Sequence, residues 1–267
     1  MRTDNPFISL VINLDSRLER DQFGGVNLTG VVNNDFLDFG VFNKQKFFEG
    51  FDFETIVFID KHLDIPITTL EYLYKTCDVV CVRNHTDEDK FNDANYLAAL
   101  QLARGKYICH VDSDCSMFTS SKENVQELLN YLETYDYLSY PTPFTPNPDT
   151  NDNYDYWWCS TRWFMCKRET LDFTEIKKCL ASSDYLYYKY PASIKNPWLE
   201  HILGLISKYT TGRGVFYPPL DYEKHLIFCW DNYEKWILRR LNEQSYDEVK
   251  NWVLSKGGIH YPNQVHI

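Results

Sequence analysis

The stretch FNDANYLAALQLARGKYICHVDSD, residues 91–114, decides how the chain is read. Its first part places Phe91, Ala94, Leu97, Ala98 and Leu102 at the spacing of one helical face, which predicts a helix over 90–104. Gly105 then supplies the stop. Tyr107, Ile108, Cys109 and Val111 follow as a buried strand over 106–111, with His110 inside it as a core residue. The run ends in Asp112 and Asp114, separated by Ser113 alone. Unpaired carboxylates are costly to bury, so this strand must end where water, a cation or a ligand can meet it.

The same alternation of strand and helix extends outward. Further apolar runs at 7–12, 55–59, 79–82, 137–140 and 163–166 read as strands. A helix over 65–76 follows Pro66, and another over 121–134 opens at Ser121. The series predicts an α/β fold: an open, mostly parallel twisted sheet flanked by helices. Helical patterns at 198–208, 222–243 and 246–255, the last ending at Gly257–Gly258, predict a helical C-terminal portion. Residues 141–158 carry four prolines and then a polar cluster, the composition of a long functional loop. The whole, 1–267, reads as one domain without internal repeats.

Composition narrows the function. With 44% hydrophobic and 24% charged residues, the 267-residue chain can bury a sizeable core. A net charge of -11 argues against a nucleic-acid binder, which needs a basic surface. The opening residues lack a signal peptide's pattern, and no window of the chain is apolar enough to span a bilayer. Cys77, Cys81, Cys109, Cys115, Cys159, Cys166, Cys179 and Cys229 complete no zinc set and read as reduced thiols, which predicts a cytoplasmic protein. The 222–243 segment is amphipathic enough for peripheral membrane contact, but Glu223, Asp231 and Glu234 favour a covering helix.

In an open parallel sheet, ligands bind at the carboxyl ends of the strands. Asp112 and Asp114 stand at such an end, spaced to face one cleft. A hard divalent cation, Mg2+ or Mn2+, would offset their repulsion and bridge them to a diphosphate. The plain alternative for an isolated Asp-X-Asp is a solvated turn.

The order of helix, glycine, strand and acid pair resembles the central segment of GT-A glycosyltransferases, especially family-2-like enzymes. The residues that carry the likeness are Asn92, Asn95, Ala103, Gly105, Tyr107, Ile108, Asp112 and Asp114. It extends back through VINLDSR, VFIDKH and VVCVRNHT and forward to STRWFMCKRETL, covering about 7–171. Two features depart from the family pattern: a long stretch between the first two strands, and a first strand without the usual Pro-x-Tyr-Asn ending. The resemblance implies a GT-A, Rossmann-like fold with a nucleotide-sugar half at about 1–115 and an acceptor half at about 116–267. It implies a hexosyltransferase-type enzyme using a UDP- or GDP-linked sugar and Mn2+ or Mg2+. The acceptor would be a hydroxyl of a glycan, lipid-linked or protein-linked molecule. Donor contacts would come from Asn13, Asp15, Arg17, Asp60, Arg83, Asn84, Asn92, Asn95 and Asp112, and metal contacts from Asp112 and Asp114.

The remaining chemistry has several candidates. An acceptor hydroxyl needs a base in an inverting transfer, and Glu200 in NPWLEHILG is the first choice, ahead of Asp184 and Asp155. An exposed first-turn glutamate is the plain alternative. His201, His225 and His260 are each eligible as a further metal ligand, with His225 carried forward. Arg213, between Gly212 and Gly214, is either a phosphate clamp or part of a plain turn. Trp157 and Trp158 could form an acceptor platform. A phosphatase using Asp-X-Asp would carry it on its first strand, and a nucleotidyltransferase would need a glycine-rich loop after strand one. A calcium loop is matched only in part. A catalytically inactive glycan- or nucleotide-binding module of the same fold is the alternative function.

Overall fold

Alternate residues of β1 (Ile8–Leu14) leave for opposite faces of the sheet, and both faces are dry. Ile8, Leu10, Ile12 and Leu14 enter one core and Val11 the other, all almost fully buried. Two covered faces explain why the strands read as continuous apolar runs. The structure, a computed structural model, describes residues 5–14, 41–60, 67–83, 93–112, 116–119, 121–139, 159–190, 199–216 and 225–228.

β1 pairs in parallel with both β2 (Phe53–Asp60) and β4 (Tyr107–Asp112), and β2 with β3 (Val79–Arg83). β7 (Trp163–Lys167) pairs antiparallel with β4 and with β6 (Tyr137–Ser139), so β6 runs in the direction of β4. β8 (Val215–Phe216) adds to β6 in parallel. The seven strands lie in the order β3-β2-β1-β4-β7-β6-β8, the open, mostly parallel, Rossmann-like sheet expected from the sequence. Only β7 runs against the others.

Helices cover both faces. One core gathers residues from α1 (Asn43–Phe47), α2 (Ile67–Thr76) and α4 (Lys122–Tyr131). Ser121 caps α4, accepting from the Asn124 amide at 3.3 Å. The other core gathers α3 (Asp93–Gln101), α5 (Phe173–Ala181), α6 (Ser183–Lys189) and α7 (Leu199–Thr210). α7 buries Leu199, Ile202, Leu203, Leu205 and Ile206, each worth about 1.5–3 kcal/mol of burial.

Two expectations are corrected. Residues 225–228 of the expected 222–243 helix form a strand, β9 (His225–Phe228), paired antiparallel with β5 (Ser116–Thr119). The rest of that helix and the one at 246–255 lie outside the described residues. Gly105 is not a helix cap. α3 ends at Gln101, and Gly105 is absent from the glycines with positive φ. A Cβ there would lie 2.5 Å from Ser9 N and 2.6 Å from the Ile8 carbonyl carbon, so glycine is needed for close backbone approach. Ser9 Oγ accepts from the Gly105 amide at 2.7 Å and donates to Glu54 Oε1 at 2.7 Å. Glu54 also accepts from Arg104 N at 2.8 Å and pairs with its guanidinium at 3.2 Å.

Candidate functional site

The carboxyl ends of β1 to β4 form one edge, and register sets which residues meet there. Asn13 lies beside Asp112, and Asp60 beside Arg83. Backbone pairing thus gathers four of the residues expected to contact a donor. Asn13 and Asp112 also touch through side chains, Asn13 Nδ2 donating to Asp112 Oδ1 at 3.4 Å. The Asp112 amide donates to the Arg162 carbonyl at 2.8 Å, and its side chain is half-buried.

The segment 159–162 joins this edge to α7. Ser160 N donates to Ser139 Oγ at 2.7 Å, fixing the segment to the end of β6. Cys159 N donates to the Glu200 carbonyl at 3.2 Å, fixing it to the first turn of α7. Thr161 Oγ1 donates to Glu200 Oε1 at 2.6 Å. Glu200 is therefore bonded to the residue next to Arg162, whose carbonyl receives the Asp112 amide. Its side chain is half-buried, and Oε2 has no protein partner among the described residues. A carboxylate with one oxygen fixed and the other open can accept a proton from a bound hydroxyl.

His110 supports the segment from below. It is 2% exposed and stacks on Phe164 with ring centroids 5.4 Å apart. Burial pushes it down to about 3, while a hydrogen bond to the Thr161 main chain works the other way. His201, next to Glu200, is pushed down to about 4 by burial. Both rings are neutral at pH 7. The core reading of His110 holds, but its link to Thr161 was invisible in sequence, as was the role of Thr161 itself.

Arg213 and Asp184 are held elsewhere. Arg213 donates from Nε to the Thr134 carbonyl at 2.9 Å and from Nη2 to Leu132 O at 3.0 Å and Glu133 O at 2.6 Å. It also lies 3.7 Å from Asp136, which accepts from Ser207 at 2.7 Å and from Thr211. Asp136 immediately precedes β6, at the amino edge of the sheet. Ser207 and Thr211, which bond it, lie about 10 and 16 Å along α7 from Glu200. Gly212 and Gly214, each at φ 70°, make the plain turn that carries Arg213 to the end of α4. Asp184 is exposed in the first turn of α6, a helix whose Tyr185 and Lys189 bond Glu175 of α5. His225 lies opposite Thr119 in the ladder of β5 and β9.

Asn95 lies in α3, and its side chain, with those of Asp60, Arg83 and His225, is not described. Asp15, Arg17, Asn84, Asn92, Asp114, Asp155, Trp157, Trp158 and His260 lie outside the described residues. Among the described residues, no three His, Cys, Asp or Glu side chains form a metal-holding group, and no helix is long and apolar enough to cross a membrane. The donor chemistry at the edge, a half-buried carboxylate beside an amide, fits a hard cation with oxygen ligands. The described cysteines are free thiols. Burial pushes Cys77 up to about 11 and raises Cys109, Cys159 and Cys166 as well, which makes them unreactive packing residues.

No family model matches the chain, and no curated protein matches it either. Solved structures do align with it. The mannosyltransferase PcManGT from Pyrobaculum calidifontis, in complex with GDP-Man and Mn2+, has a TM-score of 0.46 at 12% identity, covering 90% of this chain and 62% of that one. The 4-diphosphocytidyl-2C-methyl-D-erythritolsynthase from Anaerococcus prevotii scores 0.43 at 16% identity, covering 80% and 86%. S. aureus TarS 1-349 in complex with UDP-GlcNAc scores 0.45 at 12% identity, covering 82% and 57%. The chain thus spans less than two thirds of PcManGT and of the TarS fragment.

Proposed function

We propose that the chain is a metal-dependent glycosyltransferase. It moves a sugar from a UDP- or GDP-linked donor to a hydroxyl of a glycan, lipid-linked or protein-linked acceptor. The observation that carries this reading is the tie between Glu200 and the Asp112 end of β4 through Thr161 and Arg162. A candidate base and a candidate metal-binding carboxylate meet at the strand edge where an open sheet receives ligands.

In this reading Asp112 and Asp114 hold Mn2+ or Mg2+, which when bound stabilises negative charge on the departing diphosphate. Asn13 orients Asp112. Asp60 and Arg83, neighbours in register, contact the nucleoside, with Asp15, Arg17, Asn92 and Asn95 as further donor contacts. Glu200 takes the acceptor proton through Oε2. Thr161 fixes the other oxygen, so the carboxylate need not reorganise as the proton arrives. Trp157 and Trp158 form the acceptor platform.

The test is release of nucleoside diphosphate from a panel of UDP- and GDP-sugars with Mn2+ and simple glycan acceptors. Acceptor-dependent release from one donor supports the reading. Binding without release from any donor favours an inactive binding module.

A further inference from the structure

We propose that a pocket at the amino edge of the sheet binds a phosphoryl anion. It has a volume of about 410 Å³ and is lined by Arg104, Gly105, Lys106, Lys167, Arg168, Glu169, Leu171 and Phe173. Four of those eight residues are cations and one is an acid, in a chain whose net charge is -11. Lys106 directly precedes β4, whose other end is Asp112, so about 20 Å of strand separates this pocket from the donor edge. The proposal does not depend on the glycosyltransferase reading.

Charge pairing within the pocket is uneven. Arg104 is committed to Glu54 at 3.2 Å and Lys167 to Glu133 at 2.7 Å. Lys106 is exposed, its ammonium 4.8 Å from the Tyr107 ring centroid. Arg168 is exposed too and donates only Nε, to the Ala103 carbonyl at 2.9 Å. Its two terminal nitrogens have no protein partner among the described residues. Tyr107, Glu133 and Glu169 all act on the Lys106 ammonium, while the terminal nitrogens of Arg168 keep their charge open.

The two cations rest on a fixed frame. Arg168 N donates to the Lys106 carbonyl at 2.9 Å, and β4 pairs with β7 directly above, Tyr107 beside Lys167. A guanidinium anchored at Nε presents its terminal N–H groups as a fork that suits phosphate oxygens, and Lys106 adds a point charge beside it. Leu171 and Phe173 supply an apolar wall. The volume falls in the range of small-molecule sites, with room for a phosphoryl group that carries a larger body. That body is either a soluble metabolite or the glycerol backbone of a lipid headgroup.

The experiment compares the wild-type chain with Lys106→Glu and Lys106→Ala. Lys75→Glu, an exposed charge reversal at the end of α2, serves as the control. Inorganic pyrophosphate is titrated calorimetrically in EDTA, which removes any metal-dependent binding at Asp112. Sedimentation with phosphatidic acid vesicles, against phosphatidylcholine alone, forms the second arm. The expected result is binding in at least one arm that Lys106→Glu weakens tenfold or more, Lys106→Ala weakens less, and Lys75→Glu leaves within twofold. Loss confined to pyrophosphate identifies a soluble ligand, and loss confined to vesicles identifies a lipid headgroup. No wild-type binding in either arm, or equal loss in Lys106→Glu and Lys75→Glu, overturns the proposal.

Discussion

Thr161 donates its hydroxyl to Glu200 at 2.6 Å, and the next residue, Arg162, accepts the Asp112 amide at 2.8 Å. Two residues far apart in sequence are thereby locked to one strand end. Thr161→Val removes the bond without changing the side chain's shape. In the proposed transfer it should lower kcat by roughly tenfold and leave KM for the donor unchanged. Glu200→Gln should cost about a hundredfold or more in kcat, with the same KM pattern. Steady-state kinetics on both variants checks this. A Thr161→Val enzyme with unaltered kcat removes the positioning role.

The buried histidines predict a pH dependence with a definite sign. In the unfolded chain a histidine takes its proton near pH 6.5, whereas His110 is held neutral in the fold down to about 3. The unfolded state therefore binds more protons below pH 6.5, and stability falls as the pH is lowered. For His110 the loss by pH 5 is about 2 kcal/mol, and His201, held down to about 4, adds in the same direction. Urea unfolding at pH 7, 6 and 5 measures the slope, which His110→Phe should reduce. A flat profile across this window contradicts the neutral, buried state.

Gly105→Ala should destabilise the fold by roughly 2 kcal/mol or more, because the new Cβ meets main-chain atoms of Ile8 and Ser9 that cannot move aside. The melting temperature should fall by roughly 5 °C. Were Gly105 only a helix cap, the cost would be smaller and the Ser9 contact would survive.

Arg213→Ala separates a structural from a substrate-binding role. Its guanidinium satisfies the carbonyls of Leu132, Glu133 and Thr134 at the end of α4, so its loss should cost about 1–2 kcal/mol. Nucleotide affinity should not change. A selective loss of nucleotide binding at unchanged stability would restore the clamp.

What the sequence revealed and what it hid follow from the range of each interaction. β1, β2, β3, β4, β6 and β7 announced themselves because their sequences are mainly apolar runs, the pattern of a sheet covered on both faces. Ser121 announced the start of α4 because an N-cap bonds only three residues ahead. β9 did not, since the segment 225–228 is a strand only by pairing with Ser116–Thr119, more than a hundred residues earlier. Gly105 was legible as a required glycine but not for its reason, because a cap and a close backbone approach ask for the same residue. Arg213 was left between a clamp and a plain turn because its partners lie about 80 residues upstream. At the site, Asp112 and Glu200 were both legible as candidates, but Thr161, the residue that joins them, was not.

The central claim is that Asp112 belongs to a metal-dependent nucleotide site. Calorimetric titration of UDP and of GDP into the chain, with and without Mn2+, tests it most directly. The account predicts that one nucleotide binds, only when Mn2+ is present, and that Asp112→Asn abolishes the binding while leaving the fold intact. Absence of binding with either nucleotide, or binding indifferent both to Mn2+ and to Asp112→Asn, would contradict it.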